Sequence, residues 1–122
     1  MQNQEFTTIN YAQLASRMAD SRPDNSDPSR GYALVNVLEP EVFKFERIPA
    51  SINVPEGNEQ EFADRFAKDK EIVVYCASPD CDASLTVAKR LADMGFEDVY
   101  DYEAGLSDWK QSGGTIESGP AE

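Results

Sequence analysis

Ile72-Val73-Val74-Tyr75 is an unbroken apolar run, and Cys76 closes it. An antiparallel strand with one wet face alternates apolar and polar residues. A continuous run of this length fits a strand buried on both faces, as in a parallel sheet covered by helices. Tyr32 to Val37 repeats the pattern, with Ala33, Leu34, Val35 and Val37 nearly all apolar. Two such strands make an α/β architecture the first expectation, and the segments between them have to supply the covering helices.

Those segments read accordingly. Phe6 to Ile9 is a short extended piece. A helix follows it, capped by Asn10, with Tyr11, Leu14 and Met18 on one face. Residues 21–31 are rich in turn formers and predict a surface loop. Pro40 opens a short helix expected to reach Arg47. Ile52 to Val54 is a short strand ended by Pro55. Glu59 to Ala67 predicts a helix with Phe62 and Phe66 four apart. Ala83 to Met94 is the clearest helix, with Val87, Ala88, Leu91 and Ala92 inward and Gly95 as its terminator. Asp98 to Tyr102 predicts a strand, and Leu106 to Gln111 a short helix carrying Trp109. The expected fold is therefore a parallel sheet of about five short strands with helices on both faces. The 122 residues fit one domain, with a core over about 5–113 and a loose polar tail over 114–122.

Composition narrows the function classes. The 23 acidic residues outnumber 11 basic ones, for a net charge of -12. Such a chain is repelled by nucleic acid and anionic membranes, so neither is an expected partner. No stretch approaches a membrane span, and the N-terminus has no secretory pattern. A cytoplasmic setting follows. The chain has no histidine, which removes the commonest general base and zinc ligand. Its two cysteines, Cys76 and Cys81, make neither a disulfide framework nor a four-ligand zinc site, so no metal or cofactor is expected.

Sites in parallel sheets lie at the carboxyl ends of strands, beside helix N-termini. Cys76 occupies that position. The loop Ala77-Ser78-Pro79-Asp80-Cys81-Asp82 then leads into the helix from Ala83. Backbone N–H groups of such a loop favour negative charge, so they would stabilise a Cys76 thiolate and equally an anionic persulfide. A cysteine ending a buried strand is also often a small hydrophobe and nothing more. Asp80 and Asp82 oppose a second anion if they face the thiol, and do little if they face solvent. Cys81 is open to two readings. It resolves an oxidised or persulfidated Cys76 by forming a disulfide, or it packs in the loop, the favoured reading. Glu39, Glu41 and Glu46 read as a solvated helix face.

The run Ile72–Cys76, the helix segment Ala88-Lys89-Arg90-Leu91, then Gly95-Phe96-Glu97-Asp98-Val99, and Ala104-Gly105 with Trp109, resembles the second half of a single-domain rhodanese-like sulfurtransferase. Val35 to Phe43 and Arg47-Ile48-Pro49-Ala50-Ser51-Ile52-Asn53-Val54-Pro55 resemble that family's first half. The resemblance runs from about Tyr32 to Gly113. It implies that Cys76 carries sulfane sulfur as a persulfide. The partners implied are a sulfane-sulfur donor, polysulfide or protein persulfide, and a thiol acceptor. Departures are specific. Many active members have Asp where this chain has Asn36, and Arg where it has Leu38. Their loop is commonly Cys, four residues, Arg, Ser. Matching Ser84 to that Ser makes this loop two residues longer, with Ala83 opposite the Arg. No basic residue lies between Cys76 and Ser84, which makes dianionic thiosulfate a poor donor. Arg47, where relatives often carry His, is a candidate source of positive charge near the pocket. The alternatives are a non-catalytic binding module on the same fold, and a phosphatase or arsenate reductase. The latter calls for an Arg where this loop has Asp82.

Overall fold

A computed structural model describes residues 6–119. Five strands form one parallel sheet: β1 (Phe6–Thr8), β2 (Tyr32–Asn36), β3 (Ile52–Asn53), β4 (Glu71–Tyr75) and β5 (Asp98–Tyr102), in spatial order β1-β5-β4-β2-β3. The helices are α1 (Tyr11–Asp20), α2 (Pro40–Phe45), α3 (Glu59–Arg65), α4 (Ala83–Asp93) and α5 (Gly105–Gln111). The expected parallel sheet with helices on both faces is the fold observed. No helix among the described residues is long and apolar enough to cross a membrane.

Every residue of β2 is buried, as are the last four of β4, so these central strands carry side chains into both layers. On one face Ala33, Val35, Ile72 and Val74 pack with Phe62 of α3 and Val87, Ala88 and Leu91 of α4. On the other, Leu34, Val73 and Tyr75 pack with Leu14 of α1 and Leu106 and Trp109 of α5. Phe96 and Trp109 are core residues. The α1 start is a full capping box: Asn10 and Gln13 each accept the other's backbone N–H.

Two helices stop earlier than periodicity predicts. α2 ends at Phe45, because Arg47 pairs antiparallel with Glu117 through N–H to carbonyl bonds of 3.0 and 2.9 Å. A residue committed to that bridge cannot continue the helix. α3 ends at Arg65, with Phe66 extended, yet the Phe62 and Phe66 rings still stack at 4.4 Å. The tail is also tighter than its composition implies. Residues 114–119 are docked: the Trp109 indole N–H donates to the Thr115 carbonyl, Ile116 packs into the second core, and the Gly119 N–H donates to the Lys44 carbonyl. The expectation of a loose tail fails as far as Gly119, because polar side chains do not stop a backbone from pairing.

Ala50 is the one described non-glycine residue with positive φ, at 69°. The Asn25 side-chain amide donates to its carbonyl at 2.6 Å.

Candidate functional site around Cys76

The strand order sets where a ligand can approach. From β2 the chain moves outward to β3. From β4 it moves the opposite way, to β5. The carboxyl ends of β2 and β4 thus flank a topological switch point, and Cys76 stands there as the first residue after β4.

The loop after Cys76 is fixed by α5. The Leu106 N–H donates to the Cys76 carbonyl at 2.9 Å, and the Ser107 N–H to the Ala77 carbonyl at 2.8 Å. That approach requires Gly105. A Cβ there would stand 2.7 Å from the Cys76 carbonyl oxygen and 2.9 Å from the Ser78 nitrogen, and φ is +75°. Pro79 and Asp80 form the corner of a turn closed by the Cys81 N–H on the Ser78 carbonyl at 3.0 Å.

With the loop so held, Cys76 is fully buried and Cys81 only partly. Their sulfurs are joined as a disulfide, with Cα atoms 6.2 Å apart. The favoured reading of Cys81 as a packing residue is incomplete. It does lie against the α3/α4 core, but it reaches Cys76 as well. Asp80 and Asp82 are both exposed, so solvent screens their charge from the buried sulfur. Asp82 makes no side-chain cap on α4. Among the described residues, the N–H groups of Ala77, Ser78, Asp80, Asp82, Ala83, Ser84 and Leu85 donate no hydrogen bond. They are the donors left for an anion or water.

Arg47 does not join this group. It is buried, and its guanidinium donates to Glu117 Oε1 and to the carbonyls of Phe43 and Gly119. Its charge serves the docked tail, so the expectation that it supplies positive charge near the pocket gains no support. A groove of about 770 Å³ runs beside Arg47, Asn25 and Asn53 and includes no residue of the Cys76 loop.

Two sets of polar residues lie beside the loop, and of these the sequence marks only Asn36, as a departure from the family pattern. The first centres on the Tyr75 hydroxyl. It accepts from the Ile48 N–H at 3.0 Å and from Asn36 Nδ2 at 3.1 Å, and shares a hydrogen bond with Ser51 at 2.9 Å. Asn36 Oδ1 in turn accepts the Leu38 N–H, and Asn53 Nδ2 donates to the Leu38 carbonyl. Asn36 therefore shapes the turn that faces Cys76 across the switch point. Burial pushes the Tyr75 hydroxyl pKa upward against the pull of Ser51 and Asn36, so it stays neutral.

The second is Asp101. It pairs in register with Val74, and so lies on the same sheet face as Val74 and Cys76. It is 1% exposed, and its Oδ1 has no hydrogen-bond partner. Burial raises its pKa from the ordinary 3.8 to about 6, against the pull of the Ser84 side chain and aided by Glu103. Stability contributed by the protonated carboxyl is complete below pH 3.8 and is lost as pH rises through about 6. At ~1.36 kcal/mol per pH unit this is worth ~3 kcal/mol. Relative to the native chain, Asp101→Asn should therefore gain about 2 kcal/mol between pH 4 and pH 7.5. Urea titrations of both proteins at each pH measure this, and a constant difference would contradict the assignment.

Comparison with known proteins identifies the family and the fold. The chain matches the rhodanese-like domain family over residues 11–112. It is 31% identical over 81 residues to the thiosulfate sulfurtransferase GlpE of Pseudomonas syringae pv. syringae, covering 66% of this chain and 74% of that protein. GlpE of Coxiella burnetii is 27% identical over the same length. Among solved structures, the BH2092 protein of Bacillus halodurans superposes with a TM-score of 0.78 at 25% identity, covering 92% of this chain and 77% of that one. A rhodanese-related protein of Thermoplasma volcanium gives 0.71 at 25% identity, over 91% and 97%.

Proposed function

The chain belongs to the rhodanese-like domain family, and from that premise we propose that it is a sulfurtransferase or sulfur carrier working through a Cys76 persulfide. The carrying observation is Cys76 at the carboxyl end of β4, followed by a loop and a helix N-terminus whose N–H groups are unpaired among the described residues. Those groups favour the thiolate that attacks sulfane sulfur, and then the anionic persulfide it becomes. The similarity to GlpE sulfurtransferases supports the same chemistry.

The relatives are thiosulfate sulfurtransferases by name. For this chain the proposed donor is a persulfide or polysulfide, and the acceptor a thiol. Between Cys76 and Ser84 there is no Arg or Lys to pair with a dianion, and exposed Asp80 and Asp82 repel one at the entrance. The same absence disfavours phosphate- or arsenate-directed chemistry.

The test loads reduced protein with cysteine persulfide, which carries one net negative charge, or with dianionic thiosulfate, and follows it by mass spectrometry. The expected result is one sulfur atom added at Cys76 from cysteine persulfide, faster than from thiosulfate, and complete loss of uptake in Cys76→Ser. A native chain that takes up no sulfur from either donor would support the non-catalytic binding module instead.

A further inference from the structure

The loop that holds Cys76 also holds a second thiol within bonding reach. Cys81 follows by five residues, its Cα is 6.2 Å from that of Cys76, and the two sulfurs are paired. That separation lies inside the ~4.4–6.8 Å range a disulfide requires. The turn closed by the Cys81 N–H on the Ser78 carbonyl, with Pro79 at its corner, presets the approach. Little chain entropy remains to be lost when the sulfurs meet.

We propose that Cys81 is the built-in acceptor for the sulfur on Cys76, and that the protein releases this sulfur as hydrogen sulfide. The proposal rests on the Cys76 persulfide reading above. The Cys81 thiolate attacks the inner sulfur of Cys76–S–SH. A bond forms between the two cysteine sulfurs, and the bond to the outer sulfur breaks. That sulfur leaves with the bonding electron pair as hydrosulfide, and the Cys81 proton goes to solvent. The sulfane sulfur is reduced to sulfide by two electrons, and the two cysteines are oxidised by two electrons to a disulfide.

Access determines how the pair resets. Cys76 is fully buried in the paired form, whereas Cys81 is partly exposed. A dithiol reductant therefore attacks Cys81 and expels Cys76 as the thiolate. The reductant's second thiol then frees Cys81 and leaves as a disulfide, and Cys76 is ready to reload. Charge favours the internal acceptor over an external one. Asp80 and Asp82 are exposed on the loop of a chain of net charge -12, so anionic acceptors are repelled from its entrance. Cys81 is already inside.

The experiment adds one equivalent of cysteine persulfide to fully reduced native protein and to Cys81→Ser. Sulfide is measured at once, and the peptides by mass. The native chain should release one sulfide per chain without further thiol and become two hydrogens lighter, with residues 76 and 81 cross-linked. Cys81→Ser should keep the added sulfur on Cys76 and lose the prompt sulfide. Native protein that keeps added sulfur on either cysteine, with no disulfide, would overturn the inference while leaving the carrier intact. Absence of added sulfur on Cys76 of Cys81→Ser would remove the carrier reading, and this inference with it.

Discussion

Gly105→Ala should destabilise the protein by about 2–5 kcal/mol and slow sulfur uptake at Cys76 by ~10²-fold. Two costs combine. At φ +75° an alanine sits in the left-handed region, which costs about 1–2 kcal/mol. Its Cβ would also stand 2.7 Å from the Cys76 carbonyl oxygen, 2.9 Å from the Ser78 nitrogen and 3.0 Å from the Ala77 carbonyl carbon. All three are backbone atoms, so no side-chain rotation relieves the clash, and overpacking of this kind costs about 1–3 kcal/mol. The atoms that must yield belong to the segment carrying Cys76. Moving them breaks the bonds from Leu106 and Ser107 that hold the loop, and a displacement of ~1 Å in a reactive group can cost ~10² in rate. Gly113→Ala separates the two costs. Gly113 has φ +93° but nothing within 4 Å of an added Cβ, so only the backbone cost of about 1–2 kcal/mol applies. Thermal melting and persulfide uptake of the two variants, side by side, measure the difference. Equal effects would mean that the contact between Gly105 and the loop is not close.

The frame around this contact is legible in the sequence. β2 and β4 are apolar on both faces, and that alone calls for a parallel sheet between helices. Cys76 directly after β4 then marks the ligand end of the sheet. The readable signals failed where pairing joins distant parts of the chain. Nothing near Arg47 in sequence claims it, yet Glu117, 70 residues on, does. Asn36 counted only as a departure from the family pattern, because its partner Tyr75 is 39 residues away. Asp101 offered a signal that could have been read. It shares the face of Val99, two residues earlier, and a carboxylate on an inward face of a strand invites the question of what holds it. The Cys76–Cys81 pair was undecidable, since a separation of five admits many loop shapes and the Ser78–Cys81 turn selects one.

Tyr75→Phe is the second large effect, and it tests whether the polar cluster behind Cys76 is structural support for the site. The substitution removes one oxygen and keeps the ring. That oxygen accepts from the Ile48 N–H and from Asn36 Nδ2, and both residues are fully buried. Each buried donor left without an acceptor costs about 1–3 kcal/mol, so the variant should lose about 2–5 kcal/mol in urea titration. Because the hydroxyl stays neutral, the loss should be the same at pH 6 and pH 8. Ser51→Ala is the matched control. Ser51 also touches the hydroxyl, but it is only partly buried and has the Ile48 carbonyl as a second partner at 2.7 Å. Its removal strands no backbone donor, so its cost should stay near 1 kcal/mol. The functional consequence runs through Asn36. Freed from Tyr75, its amide can turn, and Oδ1 then no longer holds the Leu38 N–H at 2.8 Å. The turn across the switch point loosens beside Cys76, while the Cys76 loop keeps its own bonds to α5. Sulfur uptake by Tyr75→Phe should therefore survive at low temperature and fall as the variant melts. Loss of uptake in the fully folded variant would instead place the Tyr75 cluster in the reaction itself.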